Sequence, residues 1–259
     1  MVAKNLALIQ ALIGLAGFAA LMELAPRLGL VSPRYLPPFS AIAAALAGEV
    51  LEDRFWAALA FTMRSWAIGL TVSVAAGAAL GILIGSSAVL QAVTRSTIEF
   101  LRPIPSVALI PLAILLFGTT LQSNLVLVIY ASFWQVLVQV LYGVQDVDPV
   151  ARETAQSYRF SHWALIRHVI WPTTLPYLMT GIRLAASVAL ILAITAELTI
   201  GTPGLGKELS LAQSGGAVAV MYAYLIVMGL IGVLVNVAAR RLECAIMPWH
   251  QSLRAERSR

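Results

Sequence analysis

The sequence predicts an all-α, polytopic membrane protein, and three observations carry that reading. Of 259 residues, 60% are hydrophobic and only 11% charged, with a mean hydropathy of +0.87. Soluble domains carry about 25% charged residues. Five stretches contain no Asp, Glu, Lys or Arg: 5–22, 65–94, 103–145, 184–196 and 209–239. Between the long apolar runs lies one polar, helix-forming segment, VARETAQSYRFSHWALIRHVIWPTTLP at 150–176, which passes through Trp171-Pro172 straight into apolar sequence.

A crossing needs about 20 apolar residues, so the charge gaps define the spans. Six helices are expected, at about 5–25, 64–86, 97–118, 122–144, 170–198 and 217–240, forming one transmembrane unit over residues 1–259. The long 103–145 gap holds two of them, with Gly118-Thr119-Thr120 as the turn.

The first span follows Lys4. Its uncharged run is longer than a usual signal core and lacks a small-x-small cleavage site, so it reads as a span and not a signal peptide. After it, Pro33, Pro37 and Pro38 break the chain. Helix then resumes over SAIAAALAGEVLEDRFW with Ser40 as cap. That helix is too short before Glu49 to span and is expected at the outer interface.

The second span carries Gly77, Gly81 and Gly85. Small residues at this spacing permit close helix approach, within a subunit or between subunits. The third is broken by Pro103, Pro105 and Pro111, which remove backbone donors. Glu99 and Arg102, three apart, can pair at the inner boundary, as a staple or as a gate.

In the fourth span, Trp134, Gln135 and Gln139 offer polar groups that glue helices or line a solute path. Arg183 lies within the fifth span and either faces the interior or snorkels. Glu197 ends that span in AELTIG. A carboxylate at that depth points to function, or it holds the following loop through backbone hydrogen bonds. Cys244 stands alone, which excludes an internal disulfide and a cysteine metal cluster.

Positive charge sets orientation. Arg240, Arg241, Arg254, Arg257 and Arg259 follow the last span, Arg152, Arg159 and Arg167 lie in the 145–169 loop, and Arg95 lies in the 87–96 loop. On the other side, Arg27, Arg34, Arg54 and Lys207 are offset by Glu49, Glu52, Asp53 and Glu208. Both termini and the 145–169 loop are therefore expected in the cytoplasm. The net charge of +5 is scattered at span ends and speaks for topology, not for nucleic acid.

Two signals of catalysis fail. Gly201-Thr-Pro-Gly-Leu-Gly206-Lys207 approaches a phosphate loop, but Glu208 stands where Ser or Thr must hold magnesium. The segment is expected as a tight glycine turn. His162, His168 and His250 match no metal spacing.

The polar loop has the marks of a helix that another protein grips. Asp148-Pro149 is a good start, with Asp as cap and Pro at the first position. Ala151, Ala155 and Tyr158 fall on one face, and Phe160 and Trp163 add apolar surface. A short amphipathic helix lying on lipid is the bland alternative.

This loop also resembles the cytoplasmic loop of bacterial ABC importer permeases, which runs EAA, three residues, G, nine residues, I, one residue, LP. Here the slots hold Glu153-Thr154-Ala155, Arg159, Val169 and Trp171-Pro172. LRPIPSVALIPLAILLFG at 101–118, AELTIGTPGLG at 196–206, RRLECAIMPWH at 240–250 and YLPPFSAIAAAL at 35–46 resemble the nitrate, sulfonate and taurine branch of that family.

The resemblance implies a multi-pass permease of the bacterial cytoplasmic (inner) membrane. Two copies would form the path, two cytoplasmic ATPases would supply ATP and magnesium, and an extracytoplasmic binding protein would deliver solute. The permease itself would hold no cofactor and be no enzyme. Coupling would fall on Glu153, Thr154, Ala155, Ser157, Tyr158, Arg159 and Phe160. A path or gate would draw on Glu99, Arg102, Pro105, Trp134, Gln135, Gln139 and Glu197. The rival classes are a stand-alone secondary carrier, which needs an intramembrane ion site, and an intramembrane enzyme, which needs an inward-facing catalytic pair.

Overall fold

The structure, a computed structural model, describes the backbone of residues 2–247 and the side chains of residues 10 and 13–247 other than 156. Arg254, Arg257 and Arg259, on which part of the charge reading rested, and His250, one of the three histidines weighed for metal spacing, lie outside the described residues.

Helices account for the fold. The long ones are α1 (Val2–Arg27), α3 (Asp53–Gly85), α6 (Leu121–Gln145), α9 (Trp171–Ile200) and α11 (Val218–Ile246). The shorter ones are α2 (Phe39–Glu49), α4 (Ala88–Leu101), α5 (Ile110–Phe117), α7 (Pro149–Ser157), α8 (His162–Leu165) and α10 (Leu205–Ser214). Among the described residues, four continuous helices are long and apolar enough to cross a bilayer, and α4 with α5 forms a bent fifth. α1 is 26 residues long.

α6 is the central post, packed along α3 on one side and α9 on the other. The α3 contact is a register of small residues against valines. A Cβ added at Gly77 would sit 2.8 Å from Val136 Cβ, at Gly81 2.8 Å from Val140 Cβ, and at Gly85 2.8 Å from Val144 Cβ. Ser73, one step up the same stripe, bonds Ser132 at 2.9 Å. The glycine spacing therefore serves packing inside one protomer.

Several boundaries differ from expectation, each for a physical reason. The second span starts at Asp53, not near 64, because the charged 53–64 segment continues the same helix. The third is not one helix over 97–118. It begins at Ala88, stops at Leu101, turns through a 3-10 segment at 106–109 and resumes as α5, with an 81° bend. Pro103 and Pro105 lack donors and push their preceding residues out of helical geometry.

The fifth span reaches back to His162 as one continuous helix of 39 residues. A π-turn at Ile166–Ile170 widens it just before Pro172, where a proline ring would otherwise meet the carbonyl four residues earlier.

One local reading is corrected and one is extended. Ser40 is not the cap of α2. The helix begins at Phe39, and the Glu23 carboxylate of α1 accepts bonds from the Ser40 N–H (2.8 Å) and hydroxyl (2.9 Å). Residues 201–207 are more than a glycine turn. Gly201 and Gly204 hold positive φ, and Leu205 then starts α10.

Candidate functional site: the loop hairpin and the two ends of the bundle

The loop after α6 is a helical hairpin. Asp148 caps α7 by accepting the Val150 N–H at 2.8 Å, with Pro149 at the first helical position. The helix closes when the Phe160 N–H reaches back to the Ala155 carbonyl at 3.0 Å. This six-to-one bond needs a left-handed residue just before Phe160, and Arg159 supplies it with φ +54°. Ser161 then caps α8 through the Ala164 N–H at 3.2 Å. The glycine of the family loop thus has a local explanation. An L residue there costs roughly 1 kcal/mol that glycine avoids.

The hairpin presents an apolar, aromatic outer surface. Tyr158 is 76% exposed, Trp163 69% and Val150 66%, with Phe160 exposed beside them. Glu153, Thr154, Ser157 and Arg159 share that exposure. Ala155 does not. It is 4% exposed and packs inward, so the expected outer face of Ala151, Ala155 and Tyr158 is corrected. Ala151 and Tyr158 remain outside, while Ala155 closes the turn through its carbonyl. Tyr177 of α9 donates to Asp146 at 2.7 Å, tying the root of the hairpin to α6.

At the same end, α4 and α6 leave a cleft of about 420 Å³. Arg95, Glu99 and Arg102 of α4 face Val138, Tyr142 and Gln145 of α6 across it. Glu99 pairs with Arg95 at 2.9 Å, one turn back, and not with Arg102. Arg102 ends α4 as its C-cap and remains exposed at the cleft. Pro105 begins the 3-10 turn at the bend.

Trp134 is buried, its indole N–H has no partner among the described residues, and it meets Tyr130 and Phe133 edge-on. Gln135 and Gln139 are half-buried where α6 passes Gly181 of α9. A Cβ there would lie 3.2 Å from Gln139 Cβ and 3.4 Å from the Gln135 carbonyl.

Glu197 lies at the opposite end, fully buried. Its Oε2 accepts from the Thr62 hydroxyl at 2.8 Å and the Gly206 N–H at 3.1 Å. Thr62 in turn accepts the Leu205 N–H at 2.9 Å. The carboxyl occupies the space a side chain would need at Gly204. These are the contacts of an anchor that fixes the 201–206 turn to α3. Nearby, Arg54 pairs with Glu49 at 3.1 Å and Glu208 at 3.5 Å, and Tyr224 donates to Glu49 at 2.7 Å.

Sequence reasoning missed Glu243. It forms an ion pair with Arg183, joining α11 to α9. Glu243 is the only acid between Arg241 and Arg254, and that isolation was the available signal. Among the described residues, no group of three or more His, Cys, Asp or Glu is arranged to hold a metal ion.

The described helices form a bundle with a bent pair at α4 and α5 and an aromatic hairpin after α6. Residues 73–247 match the family model described as binding-protein-dependent transport system inner membrane component, and the chain belongs to that family. The taurine transport system permease protein TauC of Escherichia coli (strain K12) is 32% identical over 228 residues, covering 86% of this chain and 83% of that protein.

The putative aliphatic sulfonates transport permease protein SsuC of Bacillus subtilis (strain 168) is 28% identical, covering 90% and 84%. The nitrate import permease protein NrtB of Leptolyngbya laminosa is 25% identical, covering 77% and 71%. Among solved structures, a chain of the inward-facing MetNI methionine ABC transporter superposes with a TM-score of 0.63 at 18% identity, over 72% of this chain and 93% of that one. A chain of an amino acid ABC transporter superposes with a TM-score of 0.60 at 21% identity. At such identities the likeness speaks for the fold. The chain is a multi-pass inner-membrane transport permease.

Proposed function

We propose that this chain is the membrane half of an ATP-driven importer for a small anionic solute of the sulfonate or nitrate type. Two copies enclose the path. An extracytoplasmic binding protein delivers solute at the end that carries Glu197 and α10. Two cytoplasmic ATPases dock on the hairpin end and supply ATP and magnesium, while the permease holds neither. Both termini lie in the cytoplasm, and lipid surrounds the exposed apolar faces.

The observation that carries this reading is the exposed hairpin. Water disfavours Val150, Tyr158, Phe160 and Trp163 held together on a short capped helix pair. The hairpin continues without a break from His162 into α9, so a pull on it reaches α9 directly. Glu153, Thr154, Ser157, Tyr158, Arg159 and Phe160 form the docking surface, and Ala155 supports it from behind. Arg102 and Pro105 sit at the bend of the third span, which serves as the moving gate. Glu99 holds Arg95 in its helix. Trp134, Gln135 and Gln139 pack the post beside the path, and Glu197 fixes the outer turn. The preference for anions rests on the taurine, sulfonate and nitrate permeases among the relatives.

The test is uptake into proteoliposomes holding the permease, its ATPase and its binding protein. Taurine, an aliphatic sulfonate and nitrate are offered in turn, with methionine as a control. ATP-dependent uptake of one of the anions supports the reading. Uptake driven by an ion gradient without the ATPase refutes it.

A further inference from the structure

Arg159 is the only described residue other than glycine with a positive φ. The turn it occupies accepts glycine without strain. Its side chain gives nothing back within the protomer, for it is exposed and has no hydrogen bond or ion pair with another described residue. Glu153, the acid nearest in sequence, is exposed on the same hairpin and forms no ion pair with Arg159, while Asp146 receives the Tyr177 hydroxyl and Asp148 caps α7. The tip of the hairpin therefore carries one uncompensated guanidinium, flanked by the exposed rings of Tyr158, Phe160 and Trp163.

A strained residue persists where something outside its own turn requires it. Here the requirement is on the side chain, since the backbone would be better served by glycine. We infer that Arg159 is held in the left-handed turn for its guanidinium, which pairs with an Asp or Glu at the rim of the ATPase groove that receives the aromatic hairpin. This rests on the proposal that the hairpin docks on an ATPase. It adds that the groove is apolar within and acidic at the edge facing Arg159, and that this pair selects the matching ATPase.

A carboxylate suits the planar guanidinium fork. A lipid phosphate would be met as well by Arg167, which is exposed nearby and needs no positive φ.

The experiment measures two quantities for the full-length permease in detergent: its melting temperature alone, and its affinity for its ATPase at low and high salt. Arg159→Gly is expected to raise the melting temperature by about 2–4 °C. It is expected to weaken ATPase binding about fivefold at low salt, with the difference shrinking as salt screens the pair. Arg159→Glu should weaken binding further and be rescued by Lys at one acidic groove position of the ATPase.

If Arg159→Gly stabilises the permease yet leaves affinity and its salt dependence unchanged, the inference is wrong and the arginine is only tolerated. The inference also falls if affinity is unchanged while binding to vesicles rich in anionic phospholipid drops. Trp163→Ala separates the two levels. When it weakens docking and Arg159→Gly does not, docking stands and the arginine pair fails. When neither weakens it, the docking reading itself is lost.

Discussion

The hydroxyl of Thr62 in α3 lies 2.8 Å from the carboxylate of Glu197 in α9, 135 residues away. Through that pair and the Leu205 and Gly206 N–H groups, one side chain holds the 201–206 turn against two helices. Glu197→Ala removes an acceptor and opens a space inside the packing. Leaving buried donors unsatisfied costs about 1–3 kcal/mol each. The variant should melt lower in detergent and lose uptake, and Thr62→Val should do the same to a smaller degree. A Glu197→Ala protein that melts like the parent but fails to transport would move Glu197 from anchor to path.

The α3–α6 register leaves no room for a methyl group. Gly81→Ala would press a Cβ against Val140, and overpacking of this kind costs about 1–3 kcal/mol. Val140→Ala should recover most of that loss, because it clears the opposing atoms. Melting of both single variants and of the double variant gives the coupling. Additive losses would show that the stripe does not pack against α6.

Arg183 and Glu243 join the last two long helices. Glu243→Gln should lower the melting temperature, by roughly 1–2 kcal/mol in stability, below the cost of breaking a fully buried pair. The discount follows from Arg183, whose side chain is 40% exposed. Exchanging the two, Arg183→Glu with Glu243→Arg, should restore part of the loss. No recovery in the exchanged protein would show that each residue acts alone.

Ala155 separates folding from docking. Its side chain is buried in the hairpin itself, so Ala155→Glu forces a charge into the turn and should unfold the loop. Faster proteolysis at 149–163 in the free permease is the expected readout. Unchanged proteolysis would return Ala155 to the outer surface.

Much of this was legible in sequence because the bilayer imposes few solutions. Charge gaps pointed to the long apolar helices, and Asp148-Pro149 marked the start of α7. The failures share a cause. Whether residues 53–64 or 88–96 continue a helix depends on what packs beside them, and periodicity alone does not say. Two prolines announced a break at 103–105, but not that the halves would meet at 81°.

Glu99 has Arg95 and Arg102 within one turn on either side, and only the bend after Leu101 decides between them. The burial of Ala155 comes with the packing of α7 against the 166–170 segment, and the left-handed Arg159 is a backbone state that no arginine advertises. The Arg183–Glu243 pair joins residues 60 positions apart, beyond any local pattern.

The most direct measurement is solute-stimulated ATPase activity alongside uptake, in vesicles holding the complete transporter with Tyr158→Ala and Trp163→Ala combined in the permease. Both side chains are exposed, so the permease alone should melt unchanged. Uptake should fall by at least about tenfold, since loss of central aromatic anchors typically costs 2 kcal/mol or more, and solute should no longer stimulate the ATPase. Full uptake with normal stimulation in that double variant would show that the hairpin does not carry force from ATP to the path.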